Sequence, residues 1–274
     1  MAAIIPADIK KVVTFLFNDE RQPEPLGTGF WVAVPAQENH GKLFCYIVTA
    51  KHVISGRRSV MVRLNLVAGE QPSGLARIEL SSADHRPIVH ENPAVDIAVI
   101  PYAPPQDAGV DFKVLQRGML ATMDFRERET VSEGDEVFFT GLMPQVYGRL
   151  RNTPVVRYGR IALVTDEPFV TEEGEANYLY VEANSYPGNS GSPVFLRFGP
   201  IRQAGGIRIG GDRIMLLGVM HGYLQQGRPI DQVVESENKV LAFFENINIA
   251  MVCPVDYLAD ILDSAEARER RGEQ

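Results

Sequence analysis

Pro187-Gly188-Asn189-Ser190-Gly191-Ser192-Pro193 is the stretch on which the reading of this chain turns. Glycines bracket the serine. They let the backbone make a turn that most residues cannot, and they keep side chains away from Ser190 Oγ, so a carbonyl carbon can approach. In such a turn the backbone N–H groups of Gly188 and Ser190 converge on one point, which is an oxyanion hole. Gly, Asn, Ser and Pro also build ordinary hairpin turns, so the motif needs partners elsewhere before it points to chemistry.

A nucleophilic serine needs a base and an acid that orients it. Thr49-Ala50-Lys51-His52-Val53 follows the apolar run Leu43–Val48, which places His52 just past the end of a buried strand. Further on, Val95-Asp96-Ile97-Ala98-Val99-Ile100 sets an acid at the start of a strongly apolar strand. A carboxylate there is costly to bury unless a polar group meets it, and a histidine N–H is such a group. The order is His52, Asp96, Ser190, with Asp96 44 residues after His52 and Ser190 94 after Asp96. Taken singly, His52 reads equally as a satisfied strand-end histidine and Asp96 as a strand-start cap.

Together these pieces resemble the trypsin/chymotrypsin-like serine peptidases, and among them the bacterial Deg/Htr branch and its cytosolic relatives. The matching segments are Gly27-Thr28-Gly29-Phe30-Trp31-Val32, Thr49-Ala50-Lys51-His52-Val53, Asp96-Ile97-Ala98-Val99 and Gly188-Asn189-Ser190-Gly191-Ser192-Pro193. Leu217-Gly218-Val219 and Pro254-Val255-Asp256-Tyr257-Leu258 join them in family order. The resemblance implies an all-β fold of two six-stranded antiparallel barrels with the triad in the cleft between them. It implies that Ser190 attacks a peptide carbonyl, that His52 relays the proton, and that Asp96 fixes the imidazole. Residues 1–118 would then carry His52 and Asp96, residues 119–253 would carry Ser190, and residues 254–274 would end the chain in a helix and a charged tail.

One departure is informative. In digestive-type relatives an Asp precedes the nucleophile and pairs with a new N-terminal amine after cleavage. Here Asn189 stands in that place, and Met1-Ala2-Ala3-Ile4-Ile5-Pro6 lacks the activation sequence. The oxyanion turn must therefore be held by other contacts or switched by a partner.

Composition narrows the classes. The 274 residues are 45% hydrophobic and 23% charged, enough for a large core. Lys+Arg 27 against Asp+Glu 35 gives a net charge of −8, which argues against nucleic acid as the main partner and favours basic or neutral chains among the polypeptide substrates that the resemblance implies. No cofactor is implied, and His40, His85 and His90 lack a recognisable metal-ligand set. The two cysteines, Cys45 and Cys253, lie too far apart in the chain to clamp the histidine loop as in secreted relatives, so two free thiols and a reducing, cytoplasmic setting are expected. The apolar run Val12–Phe17 is short for a signal-peptide core, and nothing reaches the length of a membrane span.

Short apolar or β-branched runs separated by Gly, Pro and charge place strands at Val12–Phe17, Gly29–Val34, Leu43–Thr49, Ser59–Leu66, Ala76–Leu80 and Ile97–Pro101. The second set covers Glu136–Thr140, Val155–Val164, Tyr178–Glu182, Ser192–Arg197, Gly206–Ile209 with Ile214–His221, and Ile247–Cys253. Ala108–Thr130 would carry the crossover. Gly210-Gly211 reads as a hairpin turn. Val255, Leu258, Ile261 and Leu262 recur at helical spacing after Pro254, and Ala265–Gln274 reads as a charged tail that frays.

For substrate selection, the pocket-floor position falls at Asn184, with Gly222, Tyr223 and Asn248 as further wall positions. Asn184 carries no charge to select Lys or Arg, so a neutral side chain is the expected fit. His221 lies one residue from the place where a histidine recognises acidic or Gln side chains in some relatives; the plainer reading is a wall residue or a polar core histidine. The connections Gly141–Pro154, Thr165–Glu175 and Gln225–Asn246 are long, and loops around a cleft bind activators or gate access. An intact triad in a cytosol needs restraint, which points to a regulatory protein or ligand that orders them. Two other classes stay open: a catalytically silent binding or scaffold module on the same fold, and a serine esterase using the same triad.

Overall fold

Alternation along the strands decides which of three cores each side chain joins. The computed structural model describes residues 5–36, 43–67, 74–105, 109–198, 213–229 and 242–273. Eight strands form the first sheet: β1 (Val13–Phe17), β2 (Pro25–Pro35), β3 (Leu43–Thr49), β4 (Ser59–Leu64), β5 (Gly74–Glu79), β6 (Ile88–Val89), β7 (Ala98–Pro101) and β8 (Leu115–Gln116). On these strands Leu16, Trp31, Ile47, Val60, Val62, Ile78 and Ile100 point to one side and pack together. Their neighbours Phe15, Phe30, Val32 and Val48 point to the other side and form a core shared with the second half of the chain. Both faces are thus buried, which is why these strands read as continuous apolar runs rather than as clean alternation.

The second half is a closed barrel in the order β10-β13-β16-β15-β14-β9. Its strands are β9 (Glu136–Gly141), β10 (Val155–Val164), β13 (Leu179–Glu182), β14 (Pro193–Phe198), β15 (Arg213–Pro229) and β16 (Ala242–Pro254), and a small hairpin of β11 (Phe169–Thr171) and β12 (Gly174–Ala176) projects between β10 and β13. Val137, Phe139, Ile161, Val181, Leu196, Leu217 and Val252 fill the barrel. Phe138, Phe195 and Leu216 face outward into the shared core.

The expected two-barrel architecture is present, with differences of detail. The first sheet is curled rather than closed. It runs β5-β4-β1-β2-β3-β7-β6, and β8 pairs with β2 in parallel. The predicted crossover holds β8 and a short helix, α3 (Met123–Arg128), the third in the chain after α1 (Ala7–Lys11) and α2 (Lys51–Ile54). β15 and β16 run well past the ends read from the sequence and stay paired as far as Pro229 and Ala242. The expected strand Gly206–Ile209, the turn Gly210-Gly211 and His40 lie outside the described residues.

The C-terminal reading is corrected at one point. The helix predicted from Val255, Leu258, Ile261 and Leu262 is α4 (Val255–Asp263), and those four side chains are buried. The segment after it does not fray but forms α5 (Ala265–Arg271). Ser264 caps α5 by accepting from the backbone N–H of Ala267, and Gly272 ends it at φ 71°. Arg271 supplies the anchor that charge alone did not reveal: it is buried, pairs with Glu273 at 2.7 Å, and donates to Leu262 O and to Tyr46 on β3. No helix among the described residues is long and apolar enough to cross a membrane.

Candidate active site

The register of two strands closes the long gap between His52 and Asp96. β3 and β7 are antiparallel with Thr49 opposite Ala98. The chain leaving β3 and the chain entering β7 therefore meet at one end of the sheet, where Lys51 N donates to Asp96 O at 3.3 Å. His52 is the second residue of α2, and Asp96 lies just before β7. His52 Nδ1 is 2.7 Å from Asp96 Oδ2, and the backbone N–H of His52 donates to Oδ1 at 2.8 Å. The carboxylate is buried at 7% side-chain exposure while the imidazole is 48% exposed, so the ring faces solvent and the carboxylate does not.

Asp96 has a third donor. His221 Nδ1, on β15, lies 2.5 Å from the same Oδ2. Burial pushes the Asp96 carboxyl up, but the hydrogen bonds from His221 and His52 and their charge outweigh it and hold it at about 2. An ionised carboxylate only accepts, so both Nδ1 atoms carry the proton and both ring tautomers are fixed. The two rings meet edge to face at 5.7 Å, and the Tyr178 ring packs against His221 at 5.2 Å. Behind them, burial pushes the Cys253 thiol up to about 12. It is an inert thiol, and both cysteines are free.

His52, Asp96 and His221 also bring three potential metal ligands within 4.8 Å of one another. Two ligand atoms sharing an ion at 2.0–2.1 Å sit roughly 3.3 Å apart. The observed 2.7 and 2.5 Å are hydrogen-bond spacings, so the group reads as a proton-linked cluster.

Ser190 reaches the same place through Thr28. Thr28 N donates to Ser190 O at 2.9 Å, and Thr28 Oγ1 donates to Gly188 O at 2.9 Å. The same Oγ1 accepts from Leu142 N at 2.9 Å. Asn189 completes the frame. Its Oδ1 accepts from Tyr186 N at 2.9 Å and its Nδ2 donates to Leu142 O at 2.8 Å. These bonds supply the other contacts that the neutral Asn189 requires. Gly188 sits at φ 94° and Gly191 at φ 82°, backbone regions that disfavour other residues. A Cβ on Gly191 would fall 2.1 Å from Thr28 O. The N–H groups of Gly188 and Ser190 donate to no described residue, whereas those of Asn189, Gly191 and Ser192 all do.

Ser190 Oγ donates to His221 O at 3.2 Å, and no hydrogen bond joins it to His52. His52 and Asp96 are thus brought into contact, and the serine lies beside them with its hydroxyl turned to β15.

The pocket residues separate. Asn184 and Asn248 line one groove of about 560 Å³ with Glu136, Phe138, Tyr158, Arg160 and Arg197. The described lining of this groove includes neither Ser190 nor His221. Asn248 takes φ 62°, a conformation asparagine tolerates. His221 turns its ring to Asp96 rather than to a pocket, because a buried carboxylate offers a stronger acceptor than an open cleft. Gly222 and Tyr223 continue β15 beside it, opposite Met251 and Ala250.

Two of the three long connections are tied to the first sheet. Arg63 on β4 donates to Gly148 O at 2.9 Å and stacks over Phe17 and Tyr147, which fastens the Gly141–Pro154 segment. The acidic segment Thr165–Glu175 contains β11. Its Glu173 pairs with Lys51 at 2.5 Å, next to His52, and Asn92 Nδ2 donates to Glu175 O.

Sequence reasoning singled out Gly27-Thr28-Gly29 as a motif but not Thr28 as the clasp of the serine turn. It noticed His221 without its partner. Neither contact has a local signal, since each joins residues more than 100 positions apart.

The chain matches no curated protein. Among solved structures it is similar to the MamO protease domain from Magnetospirillum magneticum in its apo form, with TM-score 0.55 and 15% identity over 94% of this chain and 99% of that one. It is also similar to the HtrA-type protease AlgW with decapeptide, with TM-score 0.50 and 14% identity over 94% of this chain and 66% of that one. At such identities the likeness is one of fold. The family model of the trypsin-like peptidase domain matches residues 27–199, and this chain therefore belongs to the trypsin-like peptidase domain family.

Proposed function

We propose that the protein is a serine endopeptidase that cleaves polypeptides through an acyl-enzyme on Ser190. The observation that carries the reading is the pair of undonated N–H groups on Gly188 and Ser190 beside the bonded pair His52–Asp96. A peptide carbonyl oxygen placed against those two N–H groups would have its developing charge stabilised by donors that need no reorganisation. Rotation of Ser190 about its Cα–Cβ bond frees its hydroxyl from His221 O, and apo geometries of this kind tighten when substrate binds. His52 Nε2 then takes the hydroxyl proton as Oγ bonds to the carbonyl carbon. The tetrahedral adduct collapses, the C–N bond breaks, and His52 returns the proton to the leaving amine. Water repeats the sequence on the ester. Asp96 holds Nδ1–H and offsets the charge of the imidazolium throughout.

A polypeptide substrate suits the net charge of −8, and the free Cys45 and Cys253 suit a reducing cytoplasm. Regulation by a partner would act through the pairing of Glu173 with Lys51, which ties the acidic hairpin to the turn that bears His52.

The second reading, a silent binding module, draws on the bond from Ser190 Oγ to His221 O in place of one to His52. One experiment separates the two. Folded wild type treated with a fluorophosphonate should gain one adduct, on Ser190, and should cleave an unfolded protein; Ser190→Ala should do neither. Folded wild type that neither labels nor cleaves would refute a peptidase active on its own and leave the silent module or one that a partner must switch on.

A further inference from the structure

Asp96 Oδ2 accepts two imidazoles, not one. The His221 contact at 2.5 Å is the shorter, and His52 follows at 2.7 Å. The remaining oxygen, Oδ1, is committed to the backbone N–H of His52. His221 also touches the nucleophile, since its carbonyl accepts from Ser190 Oγ. One residue therefore bonds the acid with its side chain and the serine with its backbone. Its place is fixed by the strand around it: Met220 N donates to Ser192 O at 2.9 Å and Gly191 N donates to Met220 O at 2.8 Å.

We propose that His221 is a positioning residue of the peptidase site: its Nδ1–H locks the rotation of the Asp96 carboxylate and shares Oδ2 with His52, so that site is a Ser–His–Asp–His group. The proposal rests on the peptidase reading above. The physical reason is competition for one oxygen. With two donors on Oδ2 the carboxylate cannot turn away from His52 without breaking a second charged hydrogen bond. The same second donor spreads the charge of the carboxylate over two rings, so less of it is available to His52. The groups that face the His221 ring are Asp96 from the approach to β7, His52 from α2 and Tyr178 from the approach to β13. Asp96 is the charged group among them, so the state of the His221 ring is read out through Asp96.

Asparagine separates positioning from titration, because Asn Nδ2 reaches the place of His Nδ1 and donates there without gaining a proton. The test measures the fluorophosphonate labelling rate of wild type, His221→Ala and His221→Asn across pH. His221→Ala should label about ten- to a hundredfold more slowly, the size of one hydrogen bond to a charged group. The acid limb of its profile should move to higher pH, because Asp96 then has a single imidazole. His221→Asn should recover most of the rate and return the limb toward wild type. Wild-type rate and profile in His221→Ala would overturn the proposal. So would equal slowing of both variants with an unmoved profile, which marks a merely structural role. A second readout does not need reactivity. Protein carrying ¹⁵N-histidine should show two strongly deshielded Nδ1-bound protons, one from each ring on Asp96, and His221→Asn should keep only that of His52. A single such proton in wild type overturns the proposal. Two such protons in a wild type that does not label would uphold the His221 contact and sink the peptidase reading.

Discussion

Replacing Thr28 by valine tests how the serine turn, the proposed oxyanion site, is held. Thr28 is completely buried on β2, and its hydroxyl makes two bonds, both to the other half of the chain: it donates to Gly188 O and accepts from Leu142 N, each at 2.9 Å. Valine keeps the shape and leaves no cavity, but it strands one acceptor and one donor where water is excluded. Each stranded group costs about 1–3 kcal/mol, so Thr28→Val should lose about 2–6 kcal/mol of unfolding free energy. The Gly188–Asn189 peptide also loses one of its two bonds, keeping only that from Asn189 N to Tyr186 O, so the Gly188 N–H one link back loses part of its support. One misdirected oxyanion donor slows reaction by about 10²–10³-fold, which sets the expected fall in fluorophosphonate labelling of the folded protein. Thr28→Ser restores both bonds and removes one methyl group, for a loss of about 1 kcal/mol. Urea unfolding with linear extrapolation gives the stabilities. The reasoning fails if the valine variant lies within about 0.5 kcal/mol of wild type, the ordinary range of an uneventful substitution, and labels at the wild-type rate. It also fails if serine is no better than valine.

Asp96 should make stability depend on pH in acid. Its folded value of about 2 lies below the ordinary 3.8, so the stabilisation is complete above about pH 4 and is lost as pH falls toward 2. The drop of just under two units corresponds to about 2 kcal/mol. The advantage of wild type over Asp96→Asn in urea unfolding should therefore shrink by that amount across this window, and a constant difference would refute it. Gly191→Ala should lose roughly 4 kcal/mol or more or fail to fold, because its Cβ would press on Thr28 O and on Thr49 Oγ1 at 2.5 Å from a backbone at φ 82°. A cooperative thermal transition within a few degrees of wild type would show that the turn relaxes more freely than this packing allows.

Most of the strand positions were legible because local composition marks them. Val13–Phe17, Leu43–Thr49 and Ala98–Pro101 are apolar enough to need burial on both faces, and they were found within a residue or two. The ends of β15 and β16 were not legible. Past Tyr223 the pairing is sustained by register between two distant segments rather than by apolar content. The tail after Ser264 misled for the opposite reason: a run of charge looks solvated until a partner buries one member of it. Arg271 finds that partner in Glu273 and in Tyr46, 225 residues away.

The sequence by itself determined the chemistry on offer and the class of fold. Gly188-Asn189-Ser190-Gly191 must turn sharply because its glycines permit what other residues resist, and His52 and Asp96 must lie at strand ends because apolar runs adjoin them. Tertiary structure alone decided how those pieces meet. The Thr49–Ala98 register sets His52 on Asp96, Thr28 fastens the serine turn across the seam between the sheets, and β15 brings His221 to the carboxylate. Local sequence cannot encode these contacts, because each depends on the separation and angle of two surfaces whose position is set by the packing of the shared core.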